Sequence, residues 1–322
     1  KTAYEISTRD WSSDVCSSDL TAGDLNIGFI QGGPVSISVA GGLTQTGFIN
    51  ATTLAVNGTG AGAIKLDSQP NKVATFSGSN GVGAISFADS DGDLAIGLLD
   101  GASMSITAPG DITQLGPITG GSFNAVSTAG GVNLPLATNT VQSVTGSAVK
   151  DFVFTNFPGF DAGPITVTGA NSNIVLKSLS GDIDVVGTLT APNLVSLVAP
   201  NGTFNLVAPA TISAAVLSYD TLTPPTPQPF VPGSVPDIIA VGGNLTIDKP
   251  GQAVSFGNFV TSGNITIKAA SITVTGPLVT SGASKSILLD ATPGNVTFTG
   301  SGSARSEEHT SELQSRVDIS YA

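Results

Sequence analysis

Asp89-Ser-Asp91-Gly-Asp93 opens like a calcium loop, with carboxylates at alternate positions and a glycine between the last two. A helix–loop–helix calcium site also needs a bidentate Glu downstream and flanking helices, and neither follows here. The glycine-rich nonapeptides of calcium-binding β-rolls do not recur either. A strand-to-strand turn accounts for the same residues; calcium held by Asp89, Asp91 and Asp93 is the alternative. Gly58-Thr-Gly60-Ala-Gly-Ala63 fits a loose dinucleotide fingerprint, but phosphate binding needs a helix N-terminus and the strand-like AIKLDS follows. The stretch reads as a corner of the chain. Thr273-x-Thr275 and Thr297-x-Thr299 have the spacing of an ice-binding ladder, which would have to recur in every layer. Outward strand threonines explain them. Asn-x-Thr sequons at Asn50, Asn57, Asn201, Asn244, Asn264 and Asn295 follow from a Thr- and Asn-rich composition.

Acid–base chemistry is limited by what the chain contains, and its two ends must be set aside to see this. Ala3–Leu20 and the C-terminal RSEEHTSELQSRVDISYA are readings of opposite strands of one oligonucleotide, which resembles a barcoded sequencing-library adapter. Residues 1–20 and 305–322 are therefore read as adapter-derived and disordered. Unbroken genomic coverage across Leu20/Thr21 would refute this. Those ends hold every Cys, His, Trp, Arg and Glu. Residues 21–304 keep 7 lysines against 15 aspartates, with all 40 glycines and all 19 prolines. General acid–base work is left to Asp, Lys or Tyr219, and the aspartates, such as Asp67, Asp111 and Asp182, are scattered at turns. No catalytic, cofactor-binding or metal-ligating residue is assigned, and no cofactor is expected. The acidic balance without arginine argues against nucleic acid and anionic membranes. No apolar run approaches the roughly 18 residues of a membrane span.

The elements that would position any site are strands. Helix formers such as Glu and Arg are gone from 21–304, while Thr and Val abound. SISVAGG (36–42), AIKLDS (63–68), AISFADSDGD (84–93), ITVTGAN (165–171) and NIVLKSLSGDIDVVG (173–187) alternate with period two and are closed by Gly, Asn or Pro. A longer recurrence lies above them. Leu43, Gln45, Gly47, Ile49 and Leu54 return 69 positions later as Ile112, Gln114, Gly116, Ile118 and Phe123. Ile64, Leu66, Asn71, Val73, Phe76 and Gly78 return 68 positions later as Val132, Leu134, Asn139, Val141, Val144 and Gly146. Ile183, Gly187, Leu189 and Leu194 continue the series, followed by Ile272, Gly276 and Leu278. GNLTI (243–247) and GNITI (263–267) add a period of 20.

A unit near 70 residues predicts three coils of about 20–25 residues each in a stacked solenoid. The fold class is all-β, a right-handed parallel β-helix. Its repeats occupy 21–218 and 241–304, separated by a proline-rich loop or linker at 219–240.

GLTQTGFINATTLAV, NKVATFSGSNGVGAISFAD and GDITQLGPITGGSFNAV resemble the repeat region of filamentous-haemagglutinin-type bacterial exoproteins. That resemblance implies a fragment of a secreted or cell-surface stalk or adhesin without catalysis. It further implies an outer-membrane secretion partner and, as binding partners, host or surface glycans or proteins. The family's N-terminal secretion domain is not recognisable. A carbohydrate-binding or polysaccharide-degrading β-helix is the alternative, and it predicts three or more Asp or Lys side chains converging on one face.

Overall fold

A computed structural model describes residues 4–6, 16–20, 23–202, 204–207, 210, 212–221, 239–241, 244–256, 259–261, 264–274, 276–280, 285–299 and 303–306. Among them there is no helix, and the strands pair in parallel, coil upon coil. The chain forms two compact units, Lys1–Phe157 and Pro158–Ala322, and each is a β-solenoid.

In the first unit one column of paired residues runs Leu25, Leu43, Ile64, Ile85, Met104, Phe123, Val144, in steps of 18 to 21 residues. Every member is at most 2% exposed. In the second unit Ile165 pairs with Leu189 and Leu189 with Ile212, while Leu245 pairs with Ile265 and Ile265 with Ile287, steps of 20 to 24. The period-two patterns in the sequence appear as alternating burial, clearest along Leu94–Ala108. One coil cannot cover its own apolar side chains, so each coil covers its neighbours', at about 1.5–3 kcal/mol per buried Leu, Ile or Phe. The Phe76 and Phe87 rings stack inside with centroids 4.2 Å apart.

The recurring unit is not three whole coils. Three coil steps carry Leu43 to Met104, 61 positions on, so a recurrence of 69 overshoots by eight residues, about one face of the solenoid. Ile112, which repeats Leu43, stacks on Leu94 in a different column. Phe123, which repeats Leu54, enters the column that began with Leu25 and Leu43. Leu54 itself belongs to the column Val35, Leu54, Phe76, Ile96, Gln114. Successive sequence units are thus turned by a face as they climb.

The recurring glycine marks a close approach of coils. A Cβ on Gly47 would lie 2.5 Å from the Phe29 amide nitrogen, one on Gly116 2.7 Å from that of Leu98, and one on Gly187 2.6 Å from Pro164 N. No other residue leaves room for the backbone below.

Two expected boundaries shift. Tyr219–Thr221 are not loop: they close the strand Ile212–Thr221 and pair with Leu197, Val198 and Ala199. At the other end Ile239–Val241 is a strand on Phe259–Thr261, and residues 222–238 lie outside the described residues. The two compact units divide at Phe157/Pro158. Solenoid contacts run only between adjacent coils, so no composition shift is needed there.

The termini, expected to be disordered, contribute strands. Tyr4–Ile6 pairs with Leu25–Ile27, Cys16–Leu20 with Val35–Val39, and Ser303–Ser306 with Pro277–Thr280. A strand edge pairs with whatever extended chain reaches it, whatever that chain's origin. The rest of 1–20 and 305–322 lies outside the described residues.

Candidate functional site

Asp89 follows Phe87 and Ala88 at the end of the strand Ala84–Asp89, and its carboxylate points inward, 6% exposed. Its Oδ1 accepts the Val73 N–H at 2.8 Å, and Oδ2 accepts the Asp91 and Gly92 N–H groups at 3.0 and 3.3 Å. Those lone pairs close a turn. Asp91 points to solvent against Lys72 Nζ at 3.0 Å, and Asp93 accepts the Asp111 amide at 2.7 Å. The three carboxylates of the loop therefore take separate partners. Among the described residues no group of three or more His, Cys, Asp or Glu is placed to hold a metal.

The glycines of 58–63 serve stacking. A Cβ on Gly60 would lie 2.0 Å from the Ala40 carbonyl oxygen, and one on Gly62 2.2 Å from the Gly42 nitrogen. The strand Ile64–Ser79 follows, so no helix N-terminus faces this corner.

Sequence spacing showed that Gln45 and Asn71 recur as Gln114 and Asn139, but not why. Each pair is a buried amide clamp. Gln45 Nε2 donates to Asn71 Oδ1 at 2.8 Å, and Asn71 Nδ2 returns a bond to Gln45 Oε1 at 3.1 Å. Asn71 also accepts the Ile49 N–H and donates to the Leu66 and Ala88 carbonyls. Gln114 and Asn139 repeat the exchange, with Asn139 accepting the Ile118 N–H and donating to Thr155 O. Both asparagines are 0% exposed. These polar groups satisfy backbone atoms where the chain bends and strand pairing lapses. Their work is structural.

Charge collects along one border of the first unit. Asp111 Oδ1 accepts the Gly131 N–H at 2.8 Å and Lys150 Nζ at 3.0 Å. The Gly131 amide first, and Lys150 second, hold the Asp111 carboxyl below its ordinary range, against partial desolvation. In the second unit Asp184 accepts Asn205 Nδ2 at 2.6 Å, one coil away. Desolvation, then the nearby Asp184 charge, raises the pKa of Asp161. Among the described residues, Asp161 is the carboxyl raised in part by a neighbouring carboxylate.

Elsewhere the outward faces carry hydroxyls and amides in columns. Asn124 Nδ2 donates to Ser105 Oγ at 3.2 Å, and Thr145 Oγ1 donates to Asn124 Oδ1 at 3.0 Å, a ladder across three coils. Thr273 stacks on Thr297, while Thr275 lies outside the described residues. Among the sequons, Asn57 and Asn295 are exposed, Asn201 donates to the Leu179 carbonyl and Asn264 accepts the Ser286 amide.

No helix among the described residues is long and apolar enough to cross a membrane. Comparison with protein-family models, with curated proteins and with solved structures returns no match to this chain.

Proposed function

We propose that the chain is a fragment of an exported bacterial surface protein that acts as a structural stalk or adhesin, without catalysis. The observation that carries this reading is the outward ladder Ser105, Asn124 and Thr145, uncharged groups repeated at coil spacing on a stack of parallel strands. Such a face supplies many weak hydrogen bonds to an extended glycan or protein surface and no proton donor tuned for chemistry. Export through an outer-membrane partner, glycan or protein ligands, and a place outside the cell follow from the sequence resemblance. Binding to a glycan array, with no product released from a panel of polysaccharides, is the expected result. Hydrolysis or β-elimination of any panel member would end this reading.

A polysaccharide-cleaving reading keeps one support, the carboxylates of Asp161 and Asp184 in the second unit. It calls for a further Asp or Lys beside them, and the neighbour across the next coil is the amide of Asn205. If cleavage is found, Asp161→Asn should abolish it.

A further inference from the structure

One face of the first unit is an even lattice of small side chains. The segments AISFA (84–88), SMSIT (103–107), SFNAV (122–126) and SVTGS (143–147) stack in parallel with no register shift between them. Their second and fourth residues turn to the core, Phe87 and Phe123 among them. Their first, third and fifth residues point outward and are all partly or fully open to solvent. None of these outward residues is charged or aromatic, and none reaches further than asparagine. Hydrogen bonds order the middle column: Asn124 Nδ2 donates to Ser105 Oγ at 3.2 Å, and Asn124 Oδ1 accepts the Thr145 hydroxyl at 3.0 Å. The column before it includes Ser103, Ser122 and Ser143. The lattice ends at the coil below, where Lys65 lies under Ser86.

We infer that this face adsorbs to ice. Ice as ligand rests on the reading of the outward ladder as an adhesive face. Backbone pairing repeats the outward groups at about 4.8 Å from coil to coil, close to the oxygen repeat along the a axis of hexagonal ice. Over three steps the misfit stays well below the width of a water molecule. Along each strand the outward residues recur at about 6.7 Å, so the face is periodic in two directions, whereas a single glycan or peptide chain is periodic in one. Charge is the second discriminator. A growing ice lattice rejects ions, and although the chain carries −12, no charged residue occurs in the four segments. The same neutrality offers no hold to a mineral, a nucleic acid or an anionic membrane. Area is the third. Three coil steps by two strand repeats, with side-chain width added, give on the order of 300 Å², short of the roughly 800 Å² per partner of a stable protein interface. No aromatic ring is present to stack on the sugars of cellulose or chitin. Ser105, Asn124 and Thr145 hold one another, so little side-chain freedom is lost when the water ordered on them joins the crystal.

The test freezes a dilute solution of the full chain slowly onto a cold finger and compares the protein taken into the ice with that of an inert globular protein of like size. Single ice crystals give the gap between melting and growth temperatures. The chain should enter the ice several-fold above the inert protein and open such a gap. Ser122→Lys raises a charged side chain inside the lattice and should remove both effects. Ser122 is exposed, so far-UV circular dichroism and the urea midpoint should not change. Ser122→Thr keeps the hydroxyl and should retain both effects. Ser36→Lys puts the same charge on the stack of Ser36, Ala55 and Ser77, away from the four segments, and should alter neither. Uptake no greater than that of the inert protein, full uptake by Ser122→Lys, an equal loss in Ser36→Lys, or retention by cellulose or chitin powder but not by ice would overturn the assignment. Glycan binding without ice uptake would overturn this assignment alone, whereas cleavage of a polysaccharide would end the reading it rests on.

Discussion

Replacing Asn139 by Ala should cost far more than replacing Asn124 by Ala, although both are asparagines in neighbouring coils. Asn139 is 0% exposed, and its side chain serves the Ile118 N–H at 2.9 Å and the Thr155 carbonyl at 2.9 Å. Alanine leaves both backbone groups buried and unpaired, at about 1–3 kcal/mol each, so the loss sums to about 2–6 kcal/mol. Gln114 adds little to that total, because it still donates to Gly116 O and accepts the Leu136 amide. Asn124, in contrast, bridges Ser105 and Thr145 on an outward face. Water takes over those bonds, and the cost should stay below about 0.5 kcal/mol. Urea titration followed by far-UV circular dichroism gives both numbers. Hydrogen exchange at the Ile118 amide localises the loss, since solenoid coils couple only to their neighbours. Equal costs for the two variants would refute the assignment of the clamp as a structural necessity.

Asp89→Asn should lower the melting temperature, because a carboxamide offers one oxygen where three backbone N–H groups now converge on two. Added calcium should leave the melting temperature of the unmodified chain unchanged, and a rise would restore the metal-loop reading. Gly47→Ala should destabilise by about 1–3 kcal/mol through overlap with the Phe29 amide, whereas Gly33→Ala, with nothing within 4 Å, should be neutral or stabilising by up to about 1 kcal/mol. Paired urea titrations decide this. Two aspartates should give opposite pH dependences. The lowered pKa of Asp111 adds stability above the ordinary carboxylate value, lost as pH falls through the lowered one; the raised pKa of Asp161 makes stability decline as pH climbs from the ordinary value through the raised one. Melting curves against pH for Asp111→Asn and Asp161→Asn should each lack one of these slopes.

Much of the fold was legible in particular residues. Alternation marked the strands, and the 20-residue echo of GNLTI in GNITI marked a true stack, since Leu245 lies on Ile265. The chemistry was legible mainly as scarcity. What could not be read was direction. Asp89 looks the same in a string whether it faces a metal or three amides, although alternation with Ile85 and Phe87 puts it on the buried face of its strand. The clamps left a signal, the shared spacing of Gln45/Asn71 and Gln114/Asn139, but recurrence of a polar pair does not say whether it faces solvent or core.

The turn of one face per sequence unit gives the solenoid a property that neither period has alone. Coil spacing is set by backbone pairing, so every coil advances by the same step whatever its length. Sequence recurrence instead follows the order of short strand, glycine corner and long strand. When the second period is not a multiple of the first, equivalent residues climb the solenoid on changing faces. Gln45 and Gln114 clamp different corners for this reason: Gln114 lies above Ile96 and Phe76, whereas the strand of Gln45 lies on Leu25–Ile27. A duplicated surface feature is thereby displayed around the molecule rather than along one side, while the interior sees only apolar residues filling each column. Core continuity constrains the columns, and the choice of which unit position fills a given column is free. That freedom lets Met104 stand three coils above Leu43, where a strict three-coil repeat would have placed Ile112.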